Sequence, residues 1–133
     1  MVIIMEPRIS GKQAYDFVKR SGFDYSHRIE ALGFSGGIWI LWRDCFKVEV
    51  FYNHKQFVHF KILKNNNLQS WIATMYVSPN PNLRRQLWDH LDFLARSIHG
   101  LWLVGGDFNS ILCAAKKKYG STNTYGVSGL FKN

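Results

Sequence analysis

The sequence predicts a mixed α/β (α+β) fold, in which a mostly antiparallel sheet is covered by flanking helices. Two observations support this prediction. Several short runs of β-branched and aromatic residues are bounded by turn residues, as strands are. One longer segment repeats leucine at steps of three and four residues, as an amphipathic helix does. The 133 residues are 47% hydrophobic and 16% aromatic, so we expect one domain with a buried core over residues 1–133.

Seven stretches of the chain have the composition of strands. In the stretch QFVHFKIL, Val58 and Phe60 are expected to point into the core and His59 outward, because alternate residues of a strand face opposite sides. The stretch SWIATMYV is mostly apolar, which is typical of a central strand. The predicted strands are residues 1–5, 27–32, 38–43, 47–52, 56–63, 70–77 and 101–109.

The first predicted helix covers residues 11–20. Ser10 precedes it and Gln13 follows three positions later, which is the spacing of a capping box. Gly22 comes directly after the helical segment, and glycine is the residue that most often ends a helix.

The second predicted helix begins after SPNPN. Asn80 is a residue type that caps helices, and Pro81 suits the first helical position. The leucine spacing then continues as far as Ile98. After residue 113 the periodic pattern gives way to Lys, Gly, Ser, Thr and Asn, so residues 114–133 are expected to be loop-like and poorly ordered.

The stretch LWLVGGDFNSIL, residues 101–112, carries the clearest sign of chemistry. An apolar strand runs into two glycines and then into Asp-Phe-Asn. Residues i and i+2 of an extended strand project from the same face, so Asp107 and Asn109 are expected to lie together at the strand end. A carboxylate beside an amide suits a hard cation or a phosphate. The same residues also suit a simple turn, and the spacing leaves both interpretations open.

Two other strand ends carry polar groups. Glu6 follows the first strand, and Tyr76 lies near the end of SWIATMYV. If both strands end at one edge of a sheet, Glu6 and Asp107 can hold a magnesium ion, which takes one or two carboxylates and fills its other positions with water or phosphate oxygens. In proteins generally, an exposed glutamate and a phenol with a wet tip are the more common outcomes for such positions.

The overall charge favours polyanionic partners. Seventeen Lys and Arg against nine Asp and Glu give a net charge of +8, and a basic surface binds nucleic acid by releasing counterions from its phosphates. Simple solubility is the competing explanation. The cysteines, Cys45 and Cys113, form neither a disulfide framework nor a zinc motif. No apolar run approaches the roughly 18 residues of a membrane span, so we expect an intracellular, reducing location, in the nucleus or cytoplasm, and no membrane partner.

Taken in order, Glu6, GFSGGIWILW, MYVSPNP, LRRQLWDHL and LVGGDFNSIL resemble the motifs of the endonuclease/exonuclease/phosphatase superfamily, also called DNase I-like. More narrowly, they are similar to the endonuclease domain of plant non-LTR (LINE-type) retrotransposons. The resemblance extends over nearly the whole chain. It implies a partial DNase I-like four-layer α/β sandwich with the active site at one edge of two packed sheets. It also implies hydrolysis of phosphodiesters or phosphomonoesters with a divalent cation, Mg²⁺ or Mn²⁺.

The resemblance also implies roles for individual residues. Glu6 matches the family's metal-binding glutamate, and Tyr76 matches the tyrosine that contacts the scissile phosphate. Asp107 matches the aspartate that orients or activates the attacking water. Asn109 matches the asparagine that helps to hold the phosphate. The arguments from spacing and from resemblance therefore agree on Asp107 and Asn109.

The chain departs from the family pattern at several points. The family has an asparagine-bearing strand before the glutamate, and its Glu-Thr reads Glu6-Pro7 here. Asn80 lies four residues after the tyrosine rather than three; Asn80 and Arg84 are the further candidates for substrate binding. The family's later aspartate and its terminal Ser-Asp-His have no counterpart before Asn133. We therefore expect weak or no hydrolysis, because active-site groups that act as a unit fail together.

Two other functions are compatible with the same residues. One is a basic nucleic-acid-binding remnant without catalysis, and the other is a phosphatase of the same superfamily. The uncovered sheet edges that the departures imply would also favour self-association.

Overall fold

The computed structural model describes residues 1–30 and 36–109. These residues form seven strands and two helices, which confirms the mixed α/β prediction. Residues 114–133, predicted to be loop-like, and the end of the strand predicted at 27–32 lie outside the described residues. The elements are β1 (Val2–Met5), α1 (Gly11–Arg20), β2 (Tyr25–Ile29), β3 (Ile38–Trp42), β4 (Lys47–His54), β5 (Phe57–Lys64), β6 (Asn67–Tyr76), α2 (Pro81–Ala95) and β7 (Trp102–Asp107).

The strands divide into two sheets. The first sheet has the spatial order β1-β3-β2 and is antiparallel. The second has the order β4-β5-β6-β7, and its β6–β7 pair is parallel while the other pairs are antiparallel. The prediction of mostly antiparallel pairing is therefore confirmed. The strand patterns themselves gave no sign of where one sheet ends and the next begins.

The two sheets pack face to face, and each carries one helix on its outer side. On the first sheet, Phe17 of α1 contacts Trp39 of β3, with ring centroids 6.0 Å apart. The next residues along β3 point the other way and meet the second sheet. On the far side of the second sheet, the leucines of α2 pack against β5 and β6. The sheet-to-sheet cluster contains Ile38, Ile40, Trp42, Val58, Phe60 and Ile72, and the cluster under α2 contains Phe57, Ala73, Met75, Val77, Leu87, Leu91 and Leu94.

The helix ends follow the sequence signals only in part. Asn80 caps α2 as predicted, since its side-chain oxygen accepts hydrogen bonds from the backbone N–H groups of Asn82 and Leu83. The capping box predicted at Ser10 is wrong. Ser10 precedes α1 with extended backbone, but its side chain makes no capping hydrogen bond. Gly22 follows α1 with a φ of 77°, the left-handed conformation that favours glycine after a helix.

The prediction that His59 faces outward is also wrong. The alternation itself holds, because Val58 and Phe60 lie in the sheet-to-sheet cluster and His59 points to the opposite face. That face is covered too, so His59 is only 1% exposed. Its ring stacks on Trp71 at 5.3 Å and lies 6.1 Å from the ring of Trp102. Where both faces of a central strand are covered, as at Phe57–Phe60, residues on both faces are buried, and the polar type of His59 did not reveal this.

His59 makes the stability of the fold sensitive to acid. Both of its ring nitrogens are buried without a hydrogen-bond partner, and burial lowers the pKa of His59. The unfolded chain takes up the proton near pH 6.5, roughly the ordinary histidine value, whereas the folded chain resists it until lower pH. Stability is therefore full above about pH 6.5 and is lost as the pH falls towards the lowered value.

We expect His59→Leu to reduce this loss of stability in acid. The variant removes two unpartnered buried polar atoms, each of which costs about 1–3 kcal/mol. It also loses the ring contacts with Phe51, Trp71 and Trp102, each of about 0.5–1.5 kcal/mol. Urea unfolding at several pH values between about 5 and 8 measures the effect. His99→Leu makes the same chemical change at an exposed position. An equal slope of stability against pH in the His59→Leu variant and the unchanged protein would contradict the expectation.

Within the described residues, β7 pairs with β6 on one side only. Leu103 of β7 pairs with Ile72, which belongs to the sheet-to-sheet cluster, and so it points towards the layer of the first sheet. The first sheet does not reach that far, and Leu103 is 60% exposed. Leu101, just before the strand, is 71% exposed. An apolar strip therefore runs beside the open edge of the second sheet.

Candidate active site

Glu6 leaves β1 through an unusual backbone turn. Its φ is 50°, a left-handed conformation that a glutamate adopts rarely and only when its surroundings enforce it. The backbone N–H of Glu6 donates to the carbonyl oxygen of Gly37, 3.1 Å away. This bond ties the turn to the start of β3. The turn brings the carboxylate of Glu6 out of the first sheet and towards the second.

Tyr76 is the last residue of β6 and receives that carboxylate. The Tyr76 hydroxyl donates to Oε1 of Glu6 over 2.6 Å, between residues 70 positions apart in the sequence. A donor–acceptor distance this short is typical of a hydrogen bond to an ionised group. The bond joins an end of the first sheet to an end of the second.

Asp107 lies beside Tyr76 because the two residues pair directly in the parallel β6–β7 ladder. One carboxylate oxygen of Asp107 accepts the backbone N–H of Asn109 over 2.9 Å, which closes an Asx turn. The strand ends at Asp107 rather than continuing, so Asn109 does not share a strand face with it as predicted. The turn interpretation is therefore correct, and the turn itself brings the two residues together.

Asn109 is held from three sides. Its backbone has a φ of 44°, a conformation that asparagine tolerates better than most residues. Its side-chain amide donates to the carbonyl oxygen of Val77 over 2.8 Å. Arg84 of α2 is 94% buried and donates from Nη1 to the carbonyl oxygen of Asn109 over 3.3 Å. Arg84 thus stabilises the Asp107–Asn109 turn from the side of α2.

The electrostatics of the site keep Tyr76 protonated. The hydrogen bond to Glu6 raises the pKa of Tyr76 most, followed by burial and by the negative charges of Glu6 and Asp107. A hydrogen bond with the side chain of Asn109 acts in the opposite direction. At neutral pH the phenol is therefore a hydrogen-bond donor with two carboxylates near it. Arg8, which is largely exposed, lies 3.8 Å from the second oxygen of Glu6 and adds little, because solvent screens such a pair.

The site offers the donor atoms that a small divalent cation prefers. Glu6 accepts the Tyr76 hydroxyl and Asp107 pairs with Tyr76 in the β6–β7 ladder, so both carboxylates lie near this tyrosine. Residues 1–30 and 36–109 contain no group of three or more His, Cys, Asp and Glu residues that could hold a metal ion. Magnesium needs only one or two carboxylates and takes water or phosphate oxygens for its other positions. The oxygen donors of Glu6 and Asp107 therefore fit Mg²⁺ or Mn²⁺ better than zinc, which prefers nitrogen and sulfur.

A cleft opens beside the site, with Tyr76 in its wall. A basic side chain, Lys55, and an acidic one, Glu30, lie on its rim, and its apolar lining comes from the start of α2 and the residues before it. Such a cleft can accept a ligand that also reaches the Tyr76 hydroxyl. The lining residues are Glu30, Gly36, Gly37, Lys55, Gln56, Tyr76, Ser78, Pro79 and Leu83.

The structure brings together five of the six predicted site residues, namely Glu6, Tyr76, Asp107, Asn109 and, through its hydrogen bond to Asn109, Arg84. The predicted substrate contacts of Asn80 and Arg84 stay predictions. In the structure the Asn80 oxygen caps α2 and the Arg84 guanidinium supports Asn109. Sequence reasoning missed Gln56, a polar residue in the cleft wall that is only 5% exposed. No motif marks it, and only its burial in the fold reveals it.

The chain matches no protein-family model and none of the curated proteins with which it was compared. Of the helices in the described part of the chain, none has the length and apolar character needed to cross a membrane.

Proposed function

We propose that this chain carries a phosphodiesterase site that acts on nucleic acid with a divalent cation, Mg²⁺ or Mn²⁺. The observation that carries the proposal is the 2.6 Å hydrogen bond from Tyr76 to Glu6 beside the directly paired Asp107. Two acids and a phenol from three separate strands meet at one end of the two sheets. A fold that needed only stability would gain little by collecting two like charges there. The resemblance to the endonuclease/exonuclease/phosphatase superfamily supports the same roles for these residues.

Glu6 and Asp107 are the residues that would hold the cation. When bound, such a cation supplies positive charge to a phosphoryl group whose oxygens become more negative in the transition state. Both carboxylates are accessible, since Glu6 is partly exposed and Asp107 is exposed. The cation would also compensate the repulsion between the two acids.

Asp107, Tyr76 and Asn109 would act on the water and the phosphate. Asp107 is placed to accept a proton from the attacking water, since its carboxylate is exposed while its position is set by the Asx turn. Tyr76 keeps its proton at neutral pH and can donate it in a hydrogen bond to a phosphate oxygen. Asn109 is held by Val77 and Arg84 and can orient its amide towards the same phosphate.

The charge of the chain supports a nucleic acid as the substrate class. The net charge of +8 favours a polyanion over a neutral ester. Lys55 stands at the rim of the cleft that Tyr76 lines, where a neighbouring phosphate of the same strand would pass. A small phosphoester would not use both features.

Nicking of supercoiled plasmid tests the proposal. At high protein concentration the unchanged chain should nick weakly in Mg²⁺ and stop in EDTA, and the double variant Glu6→Gln, Asp107→Asn should lose the Mg²⁺-dependent nicking. The double variant Asp89→Asn, Asp92→Asn is the matched control, because it removes two carboxylates from the exposed side of α2. Nicking that survives in the site variant would come from a contaminant or another site. Absence of nicking in the unchanged chain at high protein concentration would count against hydrolysis.

Nucleic-acid binding without hydrolysis is the second candidate function, and the net charge of +8 favours it. Binding of labelled single-stranded and double-stranded DNA and of RNA should then weaken steeply as salt rises. We expect a fall of about a hundredfold or more between about 50 and 200 mM salt if five or more phosphates are contacted. Binding that is absent or insensitive to salt would exclude this candidate.

We propose a second copy of the same chain as a further partner. Among the described residues one edge of β7 has no strand partner, and this edge with the exposed Leu101 and Leu103 beside it forms a surface that another strand could cover. The positive net charge opposes this contact at low salt, so association should increase as salt screens the repulsion.

A further inference from the structure

Gln56 stands out among the polar residues that the proposed chemistry does not use. It lies in the turn between β4 and β5, directly before Phe57, and is 5% exposed. Glutamine is usually exposed, because burying its amide costs free energy unless both ends find partners. Its burial therefore requires an explanation from its contacts.

Gln56 makes four hydrogen bonds, and three of them connect it to the segment around Tyr76 and to α2. Its backbone carbonyl accepts the N–H of Tyr76 over 2.8 Å, and its side-chain oxygen accepts the N–H of Ser78 over 2.8 Å. Its side-chain nitrogen donates to the carbonyl oxygen of Leu83 over 3.2 Å. Its own backbone N–H donates to Nδ1 of His54 over 3.1 Å, which anchors the turn.

These bonds hold the backbone on both sides of the Tyr76 side chain. One bond lies at Tyr76 and the next lies two residues later, at the point where β6 has ended. The Tyr76 hydroxyl lies 2.6 Å from Oε1 of Glu6, across the gap between the two sheets. A small rotation of the backbone at Tyr76 would break this hydrogen bond. The bond to Leu83 fixes the first turn of α2 to the same place.

The Gln56 amide also affects the position of Asn109, indirectly, through the first turn of α2. The residue after Leu83 is Arg84, whose guanidinium supports the turn at Asn109. A shift of the first turn of α2 would therefore displace the Asn109 turn as well as Tyr76. Gln56 therefore restrains both displacements, because its side-chain amide bonds to Ser78 after β6 and to Leu83 in the first turn of α2.

We propose that Gln56 is the positioning residue of the site, which sets the place of the Tyr76 hydroxyl against Glu6 through its bonds to Ser78 and Leu83. Its effect on hydrolysis rests on the proposed function. Its effect on the Tyr76–Glu6 hydrogen bond does not, and that bond can be observed in a protein that hydrolyses nothing.

The titration of Tyr76 reports on the hydrogen bond, because Glu6 is the main cause of the raised pKa of Tyr76. Ring carbons of labelled tyrosine can be followed by NMR, and Tyr76→Phe identifies the resonance. Glu6→Gln is the positive control and should bring the titration midpoint of Tyr76 down. We expect Gln56→Met, which keeps the length of the side chain but makes neither amide bond, to lower the midpoint similarly.

Two further variants separate positioning from mere stability. Gln56→Glu keeps an acceptor for the Ser78 N–H, and we expect its midpoint to stay closer to that of the unchanged protein than to that of Gln56→Met. Gln69→Met is the matched control, since Gln69 is exposed on β6 and its amide donates only to the nearby Asn67 carbonyl among its hydrogen bonds in the described structure. It should leave Tyr76 unchanged.

The proposal is overturned if folded Gln56→Met loses stability while Tyr76 titrates as in the unchanged protein, because Gln56 would then be only structural. It is also overturned if Gln56→Glu shifts Tyr76 as far as Gln56→Met does. Should Gln56→Met fail to fold, Gln56→Asn takes its place, since it keeps a buried amide that is one methylene too short to reach both partners. A Tyr76 midpoint in Gln56→Asn equal to that of the unchanged protein would overturn the proposal in the same way.

Discussion

Replacing Gly106 by alanine is expected to prevent β7 from pairing with β6 and to destabilise the folded state by about 3 kcal/mol or more. A Cβ atom at this position would lie 1.9 Å from the carbonyl oxygen of Met75 and 2.8 Å from its carbonyl carbon. Both are backbone atoms, so no side chain can move aside. The φ of Gly106 is 148°, a conformation that residues with a Cβ rarely adopt. For a domain whose total stability is typically about 5–15 kcal/mol, such a loss is large.

Gly105→Ala provides the matched control for this variant. The two glycines are adjacent in β7, yet a Cβ at Gly105 would meet no atom within 4 Å and its φ needs no glycine. We expect a change of less than about 1 kcal/mol, since alanine also restricts the unfolded chain. Urea unfolding followed by tryptophan fluorescence measures both variants. Equal stability of Gly106→Ala and Gly105→Ala would show that the backbones of β6 and β7 leave room for a Cβ atom at position 106.

The close approach at Gly106 also explains why a glycine directly precedes the acid. Met75 pairs with Gly106, and the next pair in the ladder is Tyr76 with Asp107. A side chain at position 106 would push β7 away from β6 one residue before the site. The Asp107 carboxylate would then lie farther from the Tyr76 hydroxyl. The glycine is thus needed for the geometry of the site as well as for the pairing of the strands.

The features of the fold that depend on local sequence could be predicted. The leucine spacing and the Asn80-Pro81 signal predicted α2 and its cap, because both act within a few residues. The predictions for Ser10 and His59 were wrong because both depended on parts of the chain outside the local sequence. Whether a serine hydroxyl reaches a backbone N–H depends on the path of the preceding chain. Whether an outward-facing strand residue is buried depends on what covers that face.

The candidate site shows the same division. That Asp107 and Asn109 lie together could be predicted from their spacing, although a turn brings them together and not the shared strand face that the spacing predicted. Glu6 and Tyr76 are 70 positions apart, and only the resemblance connected them before the structure did. Gln56 had no signal at all. Its proposed role depends on contacts between the β4–β5 turn, the residues after β6 and the first turn of α2. The local sequence around Gln56 does not indicate these contacts.

Asp107→Asn is expected to lower Mg²⁺-dependent nicking by about 10²–10⁴-fold, the range typical of a lost general base, while the fold is retained. The fold should tolerate the change because Asp107 is exposed and uses its side chain to accept the N–H of Asn109. An asparagine oxygen at the same position can accept that N–H, so the Asx turn can persist. What the variant loses is the negative charge, and with it the ability to accept a proton from water.

Three measurements separate the loss of charge from a loss of structure in this variant. Asp107→Asn should unfold in urea at a concentration close to that of the unchanged chain, and Asp89→Asn should nick as the unchanged chain does. The pKa of Tyr76 should fall slightly in Asp107→Asn, because the charge of Asp107 is one of the smaller causes that raise it. A fall in the Tyr76 pKa with full nicking activity would place Asp107 beside the tyrosine but outside the chemistry. Loss of nicking together with loss of stability would mean that the carboxylate charge serves the Asx turn rather than the reaction.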